Sequence, residues 1–183
     1  MKIGIEEIDK IIEKDRVVGF RFQDRKLMKI MYHRALVESA PVNLILLGER
    51  CRILEPYLLL SFSRILGKSL DGIKVKRAFK REDVFPTIES MYGNLIIVNP
   101  YVYGNVYDSL MRRREGKTFL FYLNEPLGLR AETSILDIEK IEKRNLFSII
   151  VRKSPSYPNL RMTFPTRILY FRQEQGILKW VNL

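Results

Sequence analysis

Val42-Asn43-Leu44-Ile45-Leu46-Leu47 is apolar at every position but one. A short run without polar alternation fits a strand covered on both faces, the condition of a parallel sheet sandwiched between helices. The flanking segments fit the same architecture. Ile5, Ile8, Ile11 and Ile12 form an amphipathic stripe for a first helix, and Val17–Phe22 predicts a strand. Asp24 is placed to cap a helix carrying Leu27, Ile30, Met31 and Ala35. A helix over 54–66 has Pro56 in its first turn and Gly67 as its stop. Ile73–Phe79 is a strand, and a helix near Glu82–Tyr92 ends at Gly93. Leu95–Val98 and Thr118–Leu123 are further buried strands, and Glu132–Lys143 predicts a charged, mostly exposed helix. Beyond Phe147 the alternation gives way to strands at Leu146–Arg152, Leu160–Phe164, Arg167–Arg172 and Ile177–Val181, with a hairpin turn at Glu174-Gln175-Gly176. The expected fold is α/β: a mostly parallel sheet flanked by helices, with antiparallel strands at the C-terminal end. With 183 residues and no repeat or linker, residues 1–183 read as one domain.

The junction between the first strand and the next helix constrains chemistry. It reads Val18-Gly19-Phe20-Arg21-Phe22-Gln23-Asp24-Arg25-Lys26. A phosphate-gripping loop needs G-x-x-x-x-G-K-[ST], whose glycines let backbone N–H groups close around the phosphates while the lysine reaches the β and γ oxygens. One glycine and two phenylalanines cannot supply that wrap.

Four stretches, in order, resemble RecA/RadA-type recombinases and their clock-protein-like relatives. Gly4-Ile5-Glu6-Glu7-Ile8-Asp9 is similar to the G-[IV]-x-x-L-D opening segment, and Lys76-Arg77-Ala78-Phe79 to the R-A-F that ends a central strand. Asn94-Leu95-Ile96-Ile97-Val98-Asn99 resembles the Walker B strand, with Asn99 where that strand normally ends in aspartate. Ile149–Lys153, Arg161–Phe164 and Gly176-Ile177 are similar to the closing antiparallel strands. The resemblance implies a RecA-like core of archaeal type that lacks Walker A and the acidic Walker B residue. An amide does not supply the negative charge a hard divalent cation prefers, so two parts of phosphoryl transfer are missing together. Glu49 aligns with the family's water-activating glutamate. With no phosphate or metal to act on, it reads as a surface or ion-pair residue. The chain is expected to be no enzyme and to need no cofactor.

Charge suggests the partner. The net charge is +11, and it is uneven. Residues 1–60 hold 11 Lys/Arg against 9 Asp/Glu, whereas residues 61–183 hold 21 against 12. A one-sided surplus is the signature of a polyanion partner, usually nucleic acid; a solvated, ion-paired surface is the plainer reading. No run approaches a membrane span, and the acidic start Met1–Glu7 is unlike a signal peptide, so a cytoplasmic protein is expected. Cys51 between Arg50 and Arg52 admits an activated thiol, but an inert cysteine is the simpler reading. His33, the one histidine, reads as a partly buried polar residue, and no metal site is expected. The carboxylates Glu6/Glu7/Asp9, Glu82/Asp83 and Asp137/Glu139 offer pairs for a nuclease site, but none is followed by Glu-x-Lys, and they read as a helix start at Glu82/Asp83 and solvated helix faces.

The candidate binding residues are basic and aromatic. Arg112, Arg113, Arg114 and Lys117 cluster after a short helix, just downstream of Tyr101, Tyr103 and Gly104. Rings that stack on bases beside cations that track phosphates suit single-stranded nucleic acid; sheet-edge capping by the tyrosines and helix-end charge are the structural alternatives. In the resembling recombinases the first DNA-binding loop follows the Walker B strand, as Tyr101–Arg114 follows Asn99, and the second follows the next strand, where Asn124–Arg130 lies with Arg130 as its one cation. Lys140, Lys143 and Arg144 extend the basic character at the end of the following helix. Lys74, Lys76, Lys80 and Arg81 flank the R-A-F motif, with Lys74 and Lys76 on one strand face. The resemblance implies an accessory protein that binds DNA, single-stranded by preference, beside a recombinase or paralogue, or through self-association. The rival is a pure protein-interaction subunit with no DNA function. Neither reading places the chain at a membrane.

Overall fold

The elements, in chain order, are α1 (Glu6–Ile11), β1 (Val17–Phe22), α2 (Arg25–Ser39), β2 (Val42–Leu47), α3 (Pro56–Leu66), β3 (Ile73–Ala78), α4 (Arg81–Glu89), β4 (Leu95–Val98), α5 (Tyr107–Arg112), β5 (Thr118–Tyr122), β6 (Ser134–Ile141), β7 (Leu146–Lys153) and β8 (Arg161–Pro165), then a 3₁₀ turn at Thr166–Tyr170. The computed structural model describes residues 1–47, 54–78, 80–113, 115–123, 128, 130–141 and 144–171. The expectations placed on Glu49, Arg50, Cys51, Arg52, Phe79, Arg114, residues 124–127, Lys143 and the strand over 177–181 lie outside the described residues.

The strands form one sheet in the order β3-β2-β4-β5-β1-β6-β7-β8. The pairings from β3 through β6 are parallel, and those of β6 with β7 and β7 with β8 are antiparallel. This is the α/β architecture the alternation predicts, with the antiparallel strands where the pattern changes. One sheet face buries Phe20, Phe22, Leu44, Ile96, Phe121 and Phe147 against α1, α2 and α3. Phe20 stacks on Phe121 with ring centroids 4.9 Å apart. The opposite face buries Ile45, Ile97 and Leu120 against Val84 and Ile88 of α4 and Leu110 of α5. That second core takes no residue from β6, β7 or β8. Burial of β2, β4 and β5 from both sides explains why their sequences do not alternate.

Two elements differ from expectation. The segment expected as a helix over Glu132–Lys143 is β6, paired with β1 on one side and β7 on the other. Ile135, Ile138 and Ile141 fit a helical stripe, but Asp137 is buried in the sheet and satisfied by arginines from β1 and β7. Burial of a carboxylate is tolerable only with such partners, and a single segment does not reveal them. The strand expected at Arg167–Arg172 is the 3₁₀ turn, held by Arg34. The fully buried Arg34 guanidinium donates to Ile3 O at 3.0 Å, Gly4 O at 2.7 Å, Leu169 O at 3.0 Å and Phe171 O at 2.9 Å. One side chain on α2 thus fastens two distant stretches of backbone.

Candidate nucleic-acid interface

β1 passes to α2 through Gln23 and Asp24 alone. Asp24 is the helix cap, its Oδ1 accepting from Leu27 N at 2.6 Å. Phosphate binding at a helix N-terminus depends on free N–H groups and a favourable dipole. Here a side-chain carboxylate takes that position, with its negative charge already there.

The parallel strands divide the predicted basic-aromatic cluster. Asn99, in the left-handed region at φ 56, ends β4 and donates to Phe121 O at 2.8 Å, so Tyr101 and Tyr103 lie at the carboxyl edge of the sheet. Lys117 precedes β5 and its carbonyl accepts from Leu95 N at 2.9 Å, at the amino edge. Arg112 and Arg113 end α5 beside it. The two groups are separated by the length of β5, on the order of 15 Å, and do not form one patch.

Arg113, Lys117 and Arg112 at the amino edge are each engaged by the protein. Arg113 is only 4% exposed and donates to Met91 O at 3.3 Å, Gly93 O at 2.6 Å, Glu115 O at 3.3 Å and the Thr118 hydroxyl. Burial, with Arg16 nearby, lowers its pKa to about 10. Lys117 Nζ donates to the carbonyls of Ile12 and Glu13, closing the end of α1, and lies 5.8 Å from the Phe119 ring. Burial lowers its pKa. The exposed Arg112 pairs with Glu89 at 3.1 Å.

At the carboxyl edge, Tyr101 is committed to the protein. Its hydroxyl donates to Glu132 Oε1 at 2.5 Å, and its ring meets Tyr122 edge-on at 5.2 Å. The Tyr122 hydroxyl donates to the same oxygen at 3.2 Å. Glu132 is 1% exposed, and its Oε2 has no hydrogen-bond partner among the described residues. Burial and this carboxylate raise both phenol pKa values. Tyr101 therefore sits as the sheet-capping alternative describes, and half-buried Tyr103 packs against the edge of the second core. Gly104 follows it, and a Cβ there would lie 4.0 Å from Arg81 Nη2. Gly128 is likewise close to the Asn105 amide, at 3.2 Å from an added Cβ. The carboxyl edge thus brings Arg81, in the first turn of α4 after Lys80, close to Gly104, and Gly128 close to Asn105. In the sequence these two cations flank the R-A-F motif. Arg130 is half-buried near Tyr101 and Tyr122. Lys140 and Arg144 are exposed beside the β6–β7 connection, at the same edge but across β1 from Tyr103.

A further polar group crosses the sheet. Asp137 accepts from Arg21 Nε at 2.7 Å, Arg21 Nη2 at 2.5 Å and Arg152 Nε at 2.6 Å, joining β1, β6 and β7. Sequence spacing carries no sign of it, because Arg21 stands 116 positions before Asp137. Among the described residues, no three His, Cys, Asp or Glu side chains gather as a metal site, and no helix is long and apolar enough to cross a membrane.

No protein-family model matches the sequence, and no curated protein does. Among solved structures, the fold is similar to the crystal structure of the RadB recombinase, with a TM-score of 0.65 over 90% of this chain and 94% of that chain. Sequence identity is 11%, so the likeness is one of fold.

Proposed function

We propose that this chain is a degenerate, archaeal-type RecA-like accessory protein that has no nucleotide-driven activity. It binds DNA, single strands by preference, and works in the cytoplasm beside a recombinase or recombinase paralogue in recombination and repair. The observation that carries the reading is the β1–α2 junction, two residues long and capped by Asp24 where an anion would otherwise sit. The fold shared with a recombinase supports the pathway, and the +11 charge supports the polyanion. The DNA contact is assigned to the carboxyl edge, where Lys80, Arg81, Tyr103, Arg130, Lys140 and Arg144 lie, because ligands of open α/β sheets settle outside the carboxyl ends of strands.

The test has two arms. Mg-ATP at millimolar concentration is expected to leave the thermal midpoint unchanged; a saturable rise would overturn the non-catalytic reading. An oligo-dT strand is expected to be retained near 50 mM salt and released steeply as salt rises. Tyr103→Ala should weaken retention by roughly 1–3 kcal/mol with the salt slope unchanged, because stacking releases no counterions.

A second reading, a protein-interaction subunit without DNA function, draws on β3. This strand leaves Lys74, Val75, Lys76 and Arg77 exposed and is the edge of the sheet among the described residues, the position at which another strand can add. Failure of wild-type protein to retain oligo-dT at about 50 mM salt favours this reading.

A further inference from the structure

We infer that the sheet face left open by α4 and α5, across β6, β7 and β8, carries a second phosphate-binding strip built on Arg152 and Arg161 and set by Asp137. The strip takes the backbone of single-stranded DNA, and the inference rests on the DNA-binding reading above.

The strip begins with a register shift. Ile135 pairs with Lys153 while Leu136 pairs with Val151, so β7 carries one extra residue, Arg152. A bulge of this kind turns two consecutive side chains to one side of a sheet. Arg152 reaches Asp137 through Nε, and Lys153 reaches Glu132 O at 2.6 Å. Regular alternation would have sent one of them into the aromatic core on the other face. On the neighbouring strand Arg161 pairs with Ile150, two residues from Arg152 on the same face, which makes the two arginines diagonal neighbours.

Charge on this face favours an anion. Asp137 is one carboxylate, 4% exposed, shared between Arg21 and Arg152, so it does not neutralise Arg152 alone. Only Nε of the exposed Arg152 is engaged in it, leaving the outward nitrogens for a ligand. Arg161 is exposed, and its guanidinium makes no hydrogen bond or ion pair among the described residues. Among the described residues, the other carboxylates facing this side are Glu139, which accepts from Gln23 at 3.4 Å, and the buried Glu132. Arginines a strand apart, one held in orientation by a buried carboxylate, suit successive phosphates of an extended backbone. Phosphate contacts of this kind position a strand without reading its sequence.

The full chain is tested with oligo-dT between about 50 and 200 mM salt. Arg152→Gln/Arg161→Gln should flatten the salt slope by about 1.4, at roughly 0.7 per phosphate released. Asp137→Asn should act in the opposite direction, tightening retention and steepening the slope, because the charge that offsets Arg21 and Arg152 is gone. A merely structural network predicts no such gain. Wild-type slopes in the double variant, or weaker retention by folded Asp137→Asn protein, would overturn the strip while the carboxyl-edge site stands. Should Asp137→Asn not fold, the double variant decides alone, since both of its arginines are exposed. Wild-type protein that does not retain oligo-dT at all overturns both.

Discussion

Glu132 lies over Gly19: a Cβ added to that glycine would stand 3.0 Å from Glu132 Cγ and 2.7 Å from the Tyr122 hydroxyl. The absent side chain on β1 is what lets a buried carboxylate and two tyrosines close over the middle of the sheet. Gly19→Ala should therefore destabilise by about 1–3 kcal/mol through overpacking. Urea unfolding measures it, and an unchanged midpoint would show that the cluster yields freely.

Adjacent arginines at 112 and 113 should behave very differently. Arg113→Ala strands the carbonyls of Met91 and Gly93 in a buried site, and a cost of at least about 2 kcal/mol is expected. Arg112→Ala breaks one exposed pair with Glu89 and should cost under about 1 kcal/mol. Denaturation of the two single variants checks the contrast. Equal costs would contradict it.

Asp24→Ala should lower stability by roughly 1 kcal/mol, the usual worth of a helix cap. It should create no response to Mg-ATP, because removing the cap does not supply the missing glycines or lysine. Thermal shift with and without nucleotide reads both effects in one experiment.

His33 should give the fold an acid-sensitive joint. Its Nδ1 lies 2.7 Å from Lys29 O, and its Nε2 accepts from Glu55 N at 2.9 Å, at the start of α3. Both contacts together fit the neutral ring. Burial, partly offset by the Lys29 carbonyl, lowers its pKa from 6.5 to about 4. The unfolded chain therefore takes up the proton first as pH falls. This contribution is fully present above pH 6.5 and is lost between there and about 4, at most on the order of 3 kcal/mol. Urea midpoints at several pH values should fall more steeply for wild type than for His33→Gln. Parallel curves would refute the assignment.

Sequence alone determined the apolar strands β2, β4 and β5, the caps Asp24 and Gly67, and the change to antiparallel pairing after Phe147. Each is a local signal: two-sided burial removes alternation, and a cap must stand at the helix end it serves. The shortness of the β1–α2 junction was equally legible, since the strand pattern ends at Phe22 and Asp24 stands at the helix start. Tertiary structure alone decided β6, the division of the basic-aromatic cluster and the fate of its members. Asp137 can be buried in a strand only because Arg21 and Arg152 arrive from strands before and after it. Arg113 and Lys117 read as surface charge until the Met91 and Gly93 carbonyls and the end of α1 close around them. Tyr101 and Arg112 are close in sequence, yet α5 carries the chain back along the sheet and leaves them at opposite edges. Whether a charge faces water or a carbonyl depends on its neighbours in space, and that information is not local to any stretch of sequence.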